Sequence, residues 1–157
     1  MKSINPYNNQ FLAEYPEMSA QEVSAIVDST IEAWQKWKRT SFPYRSELMY
    51  NTASVLRTKK KELSELITLE MGKLIGEAEA EVEKCAWVCE YYAEHAEAML
   101  ADEPIVTDGQ KSMAVFQPIG TILAVMPWNY PFWQVFRFDA PALMAGNVGL
   151  LKHASNV

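Results

Sequence analysis

Thr121-Ile122-Leu123-Ala124-Val125-Met126 carries no charge, is apolar after its opening threonine and is closed at once by Pro127. Six such residues are too few for a helix and the right length for a strand buried on both faces, as strands of parallel sheets are. A helical pattern follows from Pro131 to about Ala145, with proline expected in the first turn where no amide is missed. Gly146-Asn147 ends it, and Val148-Gly149-Leu150-Leu151 forms a second apolar run that stops at Lys152. Strand, helix and strand joined by short links close as a right-handed crossover, which leaves the two strands parallel. Their carboxyl ends then share one edge of the sheet, where open α/β folds bind ligands. That edge collects Met126-Pro127-Trp128-Asn129 from one strand and Lys152-His153-Ala154-Ser155 from the other.

Everything upstream reads differently. Met1–Tyr15 is turn-rich around Asn5-Pro6-Tyr7-Asn8 and is expected to form a small hairpin or edge strand. Ser19-Ala20-Gln21-Glu22 is a capping box, and Val23, Ile26, Val27, Ile31 and Trp34 behind it fall on one helical face. That helix is expected to run to about Thr40, a second from about Tyr44, and a third over Leu63–Met71 with Gly72 as its C-cap. A long fourth helix spans about Ile75–Leu100, its stripe set by Ile75, Ala78, Val82, Cys85, Cys89, Tyr92, Ala96 and Met99. Asp108-Gly109 between Pro104–Thr107 and Lys111–Phe116 predicts a β-hairpin. The chain thus divides into a helical segment 1–101, a hairpin segment 102–118 and a strand–helix–strand segment 119–157.

Composition removes several function classes. The 157 residues are 49% hydrophobic and 22% charged, as in a globular protein with a sizeable core. A net charge of −6 gives no footprint for nucleic acid. No apolar run approaches the ~20 residues that span a bilayer, and no secretory start is evident, so no membrane partner and a cytoplasmic setting are expected. Cys85 and Cys89, four apart on a helix, are expected to be buried free thiols, since that spacing is too wide for a disulfide. Glu77, Glu79, Glu81 and Glu83 radiate around their helix, which favours interaction with the helix dipole over metal binding. His95 is expected to be a surface or satisfied histidine.

Tyr130, Trp133, Gln134 and Arg137 recur at helical spacing after Asn129. By spacing alone they form an amphipathic helix with its aromatic residues in the core and Arg137 in solvent. Lys152 near a flat aromatic suits a nucleotide, but a lysine at a strand end is also common. The literal residues narrow this. Pro127-Trp128-Asn129-Tyr130-Pro131 lies after a buried strand and before an Ala-Gly-Asn helix end and a Leu-Leu-Lys strand. In that context it resembles the aldehyde dehydrogenase superfamily. The Glu70-Met71-Gly72-Lys73 turn and the hairpin at Asp108-Gly109 resemble that family's N-terminal region too, so the likeness covers essentially the whole chain.

The resemblance implies an α/β fold: N-terminal helices plus the start of a Rossmann-like parallel-sheet NAD(P)-binding domain, with a protruding oligomerisation hairpin. It implies oxidation of an aldehyde to a carboxylic acid through a cysteine thiohemiacetal, with NADP or NAD as cofactor. By the same match Asn129 is expected to donate its amide to the oxyanion. Val125, Met126, Pro127 and Trp128 are expected to line the nicotinamide-ribose side, with Lys152 on the adenosine ribose. Ser155 stands where many NAD-preferring members carry a glutamate, so NADP is permitted. Tyr130, Trp133 and Arg137 are expected to face the substrate. Arg137 lies where succinate-semialdehyde dehydrogenases carry an arginine for the far carboxylate, so succinate semialdehyde is the leading substrate. The nucleophilic cysteine and general-base glutamate are expected beyond Val157, and the chain alone is expected to be inactive. As a full-length protein a homo-oligomer, dimer or tetramer, is expected. The competing reading is a non-catalytic assembly module built from the helices and hairpin.

Overall fold

A computed structural model describes residues 1–156. Val157, the last residue of the third predicted segment, lies outside the described residues.

The chain opens with β1 (Lys2–Ile4) and β2 (Phe11–Glu14), an antiparallel pair. Four helices follow: α1 (Ala20–Trp37), α2 (Phe42–Thr58), α3 (Lys60–Met71) and α4 (Ile75–Met99). The capping box at Ser19 is formed on both sides, the Ser19 hydroxyl accepting from Glu22 N–H and the Glu22 carboxylate from Ser19 N–H. The second helix begins earlier than its sequence pattern implies, because Ser41 caps it and Pro43 fits its first turn. Gly72 closes α3 in the left-handed region at φ 75°, as a C-cap glycine does.

α4 is the central element, packed against α2, α3 and α5 (Trp133–Met144). Ala78, Val82, Cys85, Cys89 and Ala96 of the stripe read from the sequence are buried, joined by Ala93, and their small side chains let the neighbouring helices approach closely. Ile75 and Met99, at the two ends of the stripe, are exposed. α1 behaves otherwise. Among the described residues it buries none of its side chains, and Val23, Val27 and Ile31 of the expected core face are exposed.

β3 (Glu103–Pro104) and β4 (Met113–Ala114) form the expected hairpin, but only two residues of each strand pair. β5 (Thr121–Val125) and β6 (Val148–Lys152) pair in parallel around α5, so the predicted crossover is present. Burial on both faces is not. Ala124 is buried, whereas Leu123 and Val125 on the opposite face are 62% and 64% exposed. Thr121, on that same face by alternation, donates to the Thr30 hydroxyl of α1 at 3.2 Å, and farther along the strand no described element covers it.

The links around α5 are fixed by buried polar groups. Asn147 Oδ1 accepts from Ile119 N–H at 2.7 Å and Gly120 N–H at 3.1 Å, tying the entry of β5 to that of β6. Gly146 takes φ 83°, and a Cβ there would lie 3.3 Å from both Arg45 and Pro118. Pro141 stands inside α5, where it removes one helix hydrogen bond without ending the helix.

Candidate active site

The link from β5 to α5, residues 126–132, carries most of the residues singled out above. It leaves the sheet as expected: Val125 is in register with Lys152, and Met126 N–H donates to Lys152 C=O at 3.0 Å. α5 then starts at Trp133, not at Pro131. The reason is a cap that comes from another helix. Phe132 N–H and Trp133 N–H both donate to Glu81 Oε1 of α4 at 3.0 Å, and no side chain of the link itself caps α5. A carboxylate at this end satisfies two orphan donors and complements the helix dipole.

Glu81 is also ion-paired to Lys73, which follows the α3 C-cap. The two side chains are 1% and 7% exposed. Isolated charges this deep would be costly, so each must use its remaining hydrogen-bonding capacity. Lys73 does so by donating to Asn129 C=O at 3.2 Å and lying 3.7 Å from the centre of the Tyr130 ring. The dipole reading of Glu81 on its own helix is therefore corrected: its carboxylate serves the N-terminus of α5. The sequence held a clue, since Glu81 falls three residues after Ala78 and four before Cys85, on the buried stripe of α4.

The opposite end of α5 is held in the complementary way. Arg45 Nη1 donates to Met144 C=O at 2.5 Å and Trp37 Nε1 to Leu143 C=O at 2.9 Å. Burial lowers the Arg45 guanidinium below its ordinary range. A cation at a helix C-terminus and an anion at its N-terminus both agree with the dipole.

The Asn129 side chain is exposed and has no hydrogen-bond partner among the described residues. Tyr130 and Trp133 line one cavity together with Lys73, Glu77 and Lys84, the Lys84 ammonium lying 4.0 Å from the Trp133 ring. Arg137, one helical turn past Trp133, is exposed and lines none of the cavities described here.

The other predicted residues gather at the sheet edge. Trp128 and Ser155 line a common cavity with Lys2 and Glu70, and Glu70 accepts from the Ser3 hydroxyl at 2.6 Å. Pro127 lines a neighbouring apolar cavity with Phe132, Leu151 and His153. Lys152 is exposed and its ammonium donates to His153 C=O at 3.1 Å.

Neither cysteine belongs to this edge. Burial pushes the Cys89 thiol up to about 12, with Glu90 adding to the effect, and raises Cys85 in the same sense. Both are buried and free, as expected, and neither is poised as a nucleophile. His95 is satisfied within its own helix, with Nδ1 2.8 Å from Tyr91 C=O and its ring stacked on Tyr91. Among the described residues no group of His, Cys, Asp and Glu could hold a metal ion, and no helix is long and apolar enough to cross a membrane.

The chain is 52% identical over 155 residues to a "probable succinate-semialdehyde dehydrogenase (NADP+)" of Synechocystis sp., covering 99% of this chain and 34% of that protein. A succinate semialdehyde dehydrogenase (NAD(P)+) of Escherichia coli is 42% identical over 155 residues, again with 99% and 34% covered. The crystal structure of a succinic semialdehyde dehydrogenase from Streptococcus pyogenes in complex with NADP+ superposes with a TM-score of 0.94 at 35% identity, over 99% of this chain and 34% of that one. This chain thus spans about a third of the length of these relatives. The family model described as "Aldehyde dehydrogenase family" matches residues 1–157. With its strand–helix–strand core, its Pro-Trp-Asn link and this match along its length, the chain belongs to the aldehyde dehydrogenase family.

Proposed function

We propose that this chain is the N-terminal part of an NADP-linked succinate-semialdehyde dehydrogenase. The observation that carries this reading is the Asn129 carboxamide, exposed and without a partner among the described residues, on a link whose backbone is otherwise held, with Arg137 on the helix that follows. A side-chain amide is a donor that stays neutral at every working pH. It can therefore stabilise the negative oxygen that develops when a thiolate adds to an aldehyde. The nucleophile itself is a cysteine outside these residues.

The sheet edge fits a dinucleotide. Lys152 offers a cation with free donor capacity, Trp128 a flat apolar face, and Ser155 a hydroxyl in place of a carboxylate. A serine imposes no charge repulsion on a 2′-phosphate, which is the basis for favouring NADP. Val125, Met126 and Pro127 would complete the nicotinamide side of this surface. When bound, the nicotinamide supplies the hydride acceptor.

Arg137 would hold the far carboxylate of the substrate by a bidentate contact, with Tyr130 and Trp133 as the intervening wall. Arg137→Ala in the full-length polypeptide should lower kcat/KM for succinate semialdehyde by about 10- to 100-fold, the value of a charge-assisted hydrogen-bond pair. Butanal, a neutral aldehyde of the same chain length, should lose much less. Equal losses on the two substrates would remove the carboxylate role. Exposed Ile105, Val106, Val115 and Phe116 on and around the β3–β4 hairpin favour a homo-oligomer assembled through it. Two unpaired buried thiols favour a reducing, cytoplasmic setting.

A further inference from the structure

We infer that the buried Lys73–Glu81 ion pair is the positioning device for the Asn129 amide, a role that rests on the oxyanion reading above. Residues 129–133 show why. Asn129 C=O accepts from Lys73, and the Tyr130 ring lies against the same ammonium. Tyr130 C=O accepts from Gln134 N–H at 3.0 Å. Pro131 has its φ fixed by its own ring. Phe132 and Trp133 both give their N–H groups to Glu81. Every residue of this stretch is thus constrained, and the side chain of Asn129 is left as the exposed donor.

The charges are arranged so that the clamp works as a unit. Glu81 places one carboxylate oxygen on α5 and the other on Lys73, and Lys73 carries the constraint to the peptide group of Asn129 itself. Ordinary capping needs only the first of these contacts. Serine, threonine, asparagine or aspartate within the link could supply it locally. A buried ammonium brought to the carbonyl of the one residue that bears the donor amide has no such local substitute. The ion pair is therefore a positioning pair, not a catalytic one: both side chains are almost fully buried, and Lys73 meets the main-chain carbonyl of Asn129 while its side-chain amide is left exposed.

A displacement of the donor by about 1 Å is enough to cost up to 10²-fold in rate. Glu81→Gln keeps an oxygen for the two N–H groups while removing the charge that holds Lys73, so it is the variant chosen to keep the fold. In the full-length enzyme it should lower kcat by about 10-fold or more with the KM for aldehyde nearly unchanged. In an Asn129→Ala background the same substitution should cost almost nothing further, because residues that act through one donor are non-additive. In residues 1–157 the Phe132 and Trp133 amides should exchange with solvent faster in Glu81→Gln, and in Lys73→Met, than in the parent chain. A folded Glu81→Gln enzyme with parental kcat, or a loss that adds in full to that of Asn129→Ala, would overturn the inference. If Asn129→Ala itself retains parental kcat, the oxyanion reading fails instead, and unchanged amide exchange would then dispose of the clamp separately.

Discussion

Asn129→Ala in the full-length polypeptide is expected to lower kcat for aldehyde oxidation by about 10²- to 10³-fold, the usual cost of one oxyanion donor. The effect should fall on kcat more than on KM, because the carbonyl oxygen of the bound aldehyde becomes a strong acceptor only as charge develops on it. Stability should hardly move. The Asn129 side chain is exposed and bonds to no other described residue, and the contact that fixes the link uses its main-chain carbonyl, which alanine keeps. Thermal melts of the two proteins should therefore coincide while their turnover numbers separate. Parental kcat in the variant would remove Asn129 from the chemistry.

Arg45→Ala should act on the fold instead, lowering unfolding free energy by about 3 kcal/mol. Three charge-assisted contacts are lost: to Met144 C=O, to Thr40 C=O at 2.6 Å and to the Thr40 hydroxyl at 3.0 Å. Hydrogen bonds to charged groups contribute about 1.5–3 kcal/mol each, and a carbonyl left buried without a donor adds its own penalty. The loss is reduced because a guanidinium held away from water, as the buried Arg45 is, is itself unfavourable. The variant also removes the cation from the C-terminus of α5 and leaves space beside Gly146. Urea unfolding of residues 1–157 should show a lower midpoint with an unchanged slope, the signature of a stability change without a change in the surface exposed. An unchanged midpoint would mean that α5 does not depend on this anchor.

Much of this architecture is written locally. Ser19 and Glu22 lie within one turn of each other and determine the start of α1 without help from the rest of the chain. The parallel crossover follows from two apolar runs separated by one helix, and the register of Val125 with Lys152 bears it out. The charges that set α5 could not be located in the same way. Glu81 and Lys73 act on residues about fifty positions further along, and Arg45 reaches across 99 positions to Met144. Helical periodicity reports which face of α4 is buried, but not which distant N–H group needs a carboxylate there. For that reason Pro131 reads as the first turn of a helix that in fact begins at Trp133.

Burial departs from the apolar pattern for a related cause. The composition of Thr121–Val125 fits a strand covered on both faces, yet coverage depends on neighbours that a single strand does not encode. The apolar stripe of α1 is real in sequence and exposed among the described residues for the same reason. The candidate site shows both sides of this limit. The Pro127–Pro131 motif marks Asn129 and Trp128, whereas the turn that carries Lys73 and the buried stripe that carries Glu81 give no sign that these two charges pair with each other and hold that link.

The most direct test of the functional reading is steady-state NADP reduction by the full-length polypeptide that carries this segment, with succinate semialdehyde and butanal compared at equal enzyme. A carboxylate-binding arginine on α5 predicts a kcat/KM for succinate semialdehyde at least about 10-fold above that for butanal, the scale of a charge-assisted contact. Equal values for the two aldehydes, or no NADPH formed from either, would contradict it.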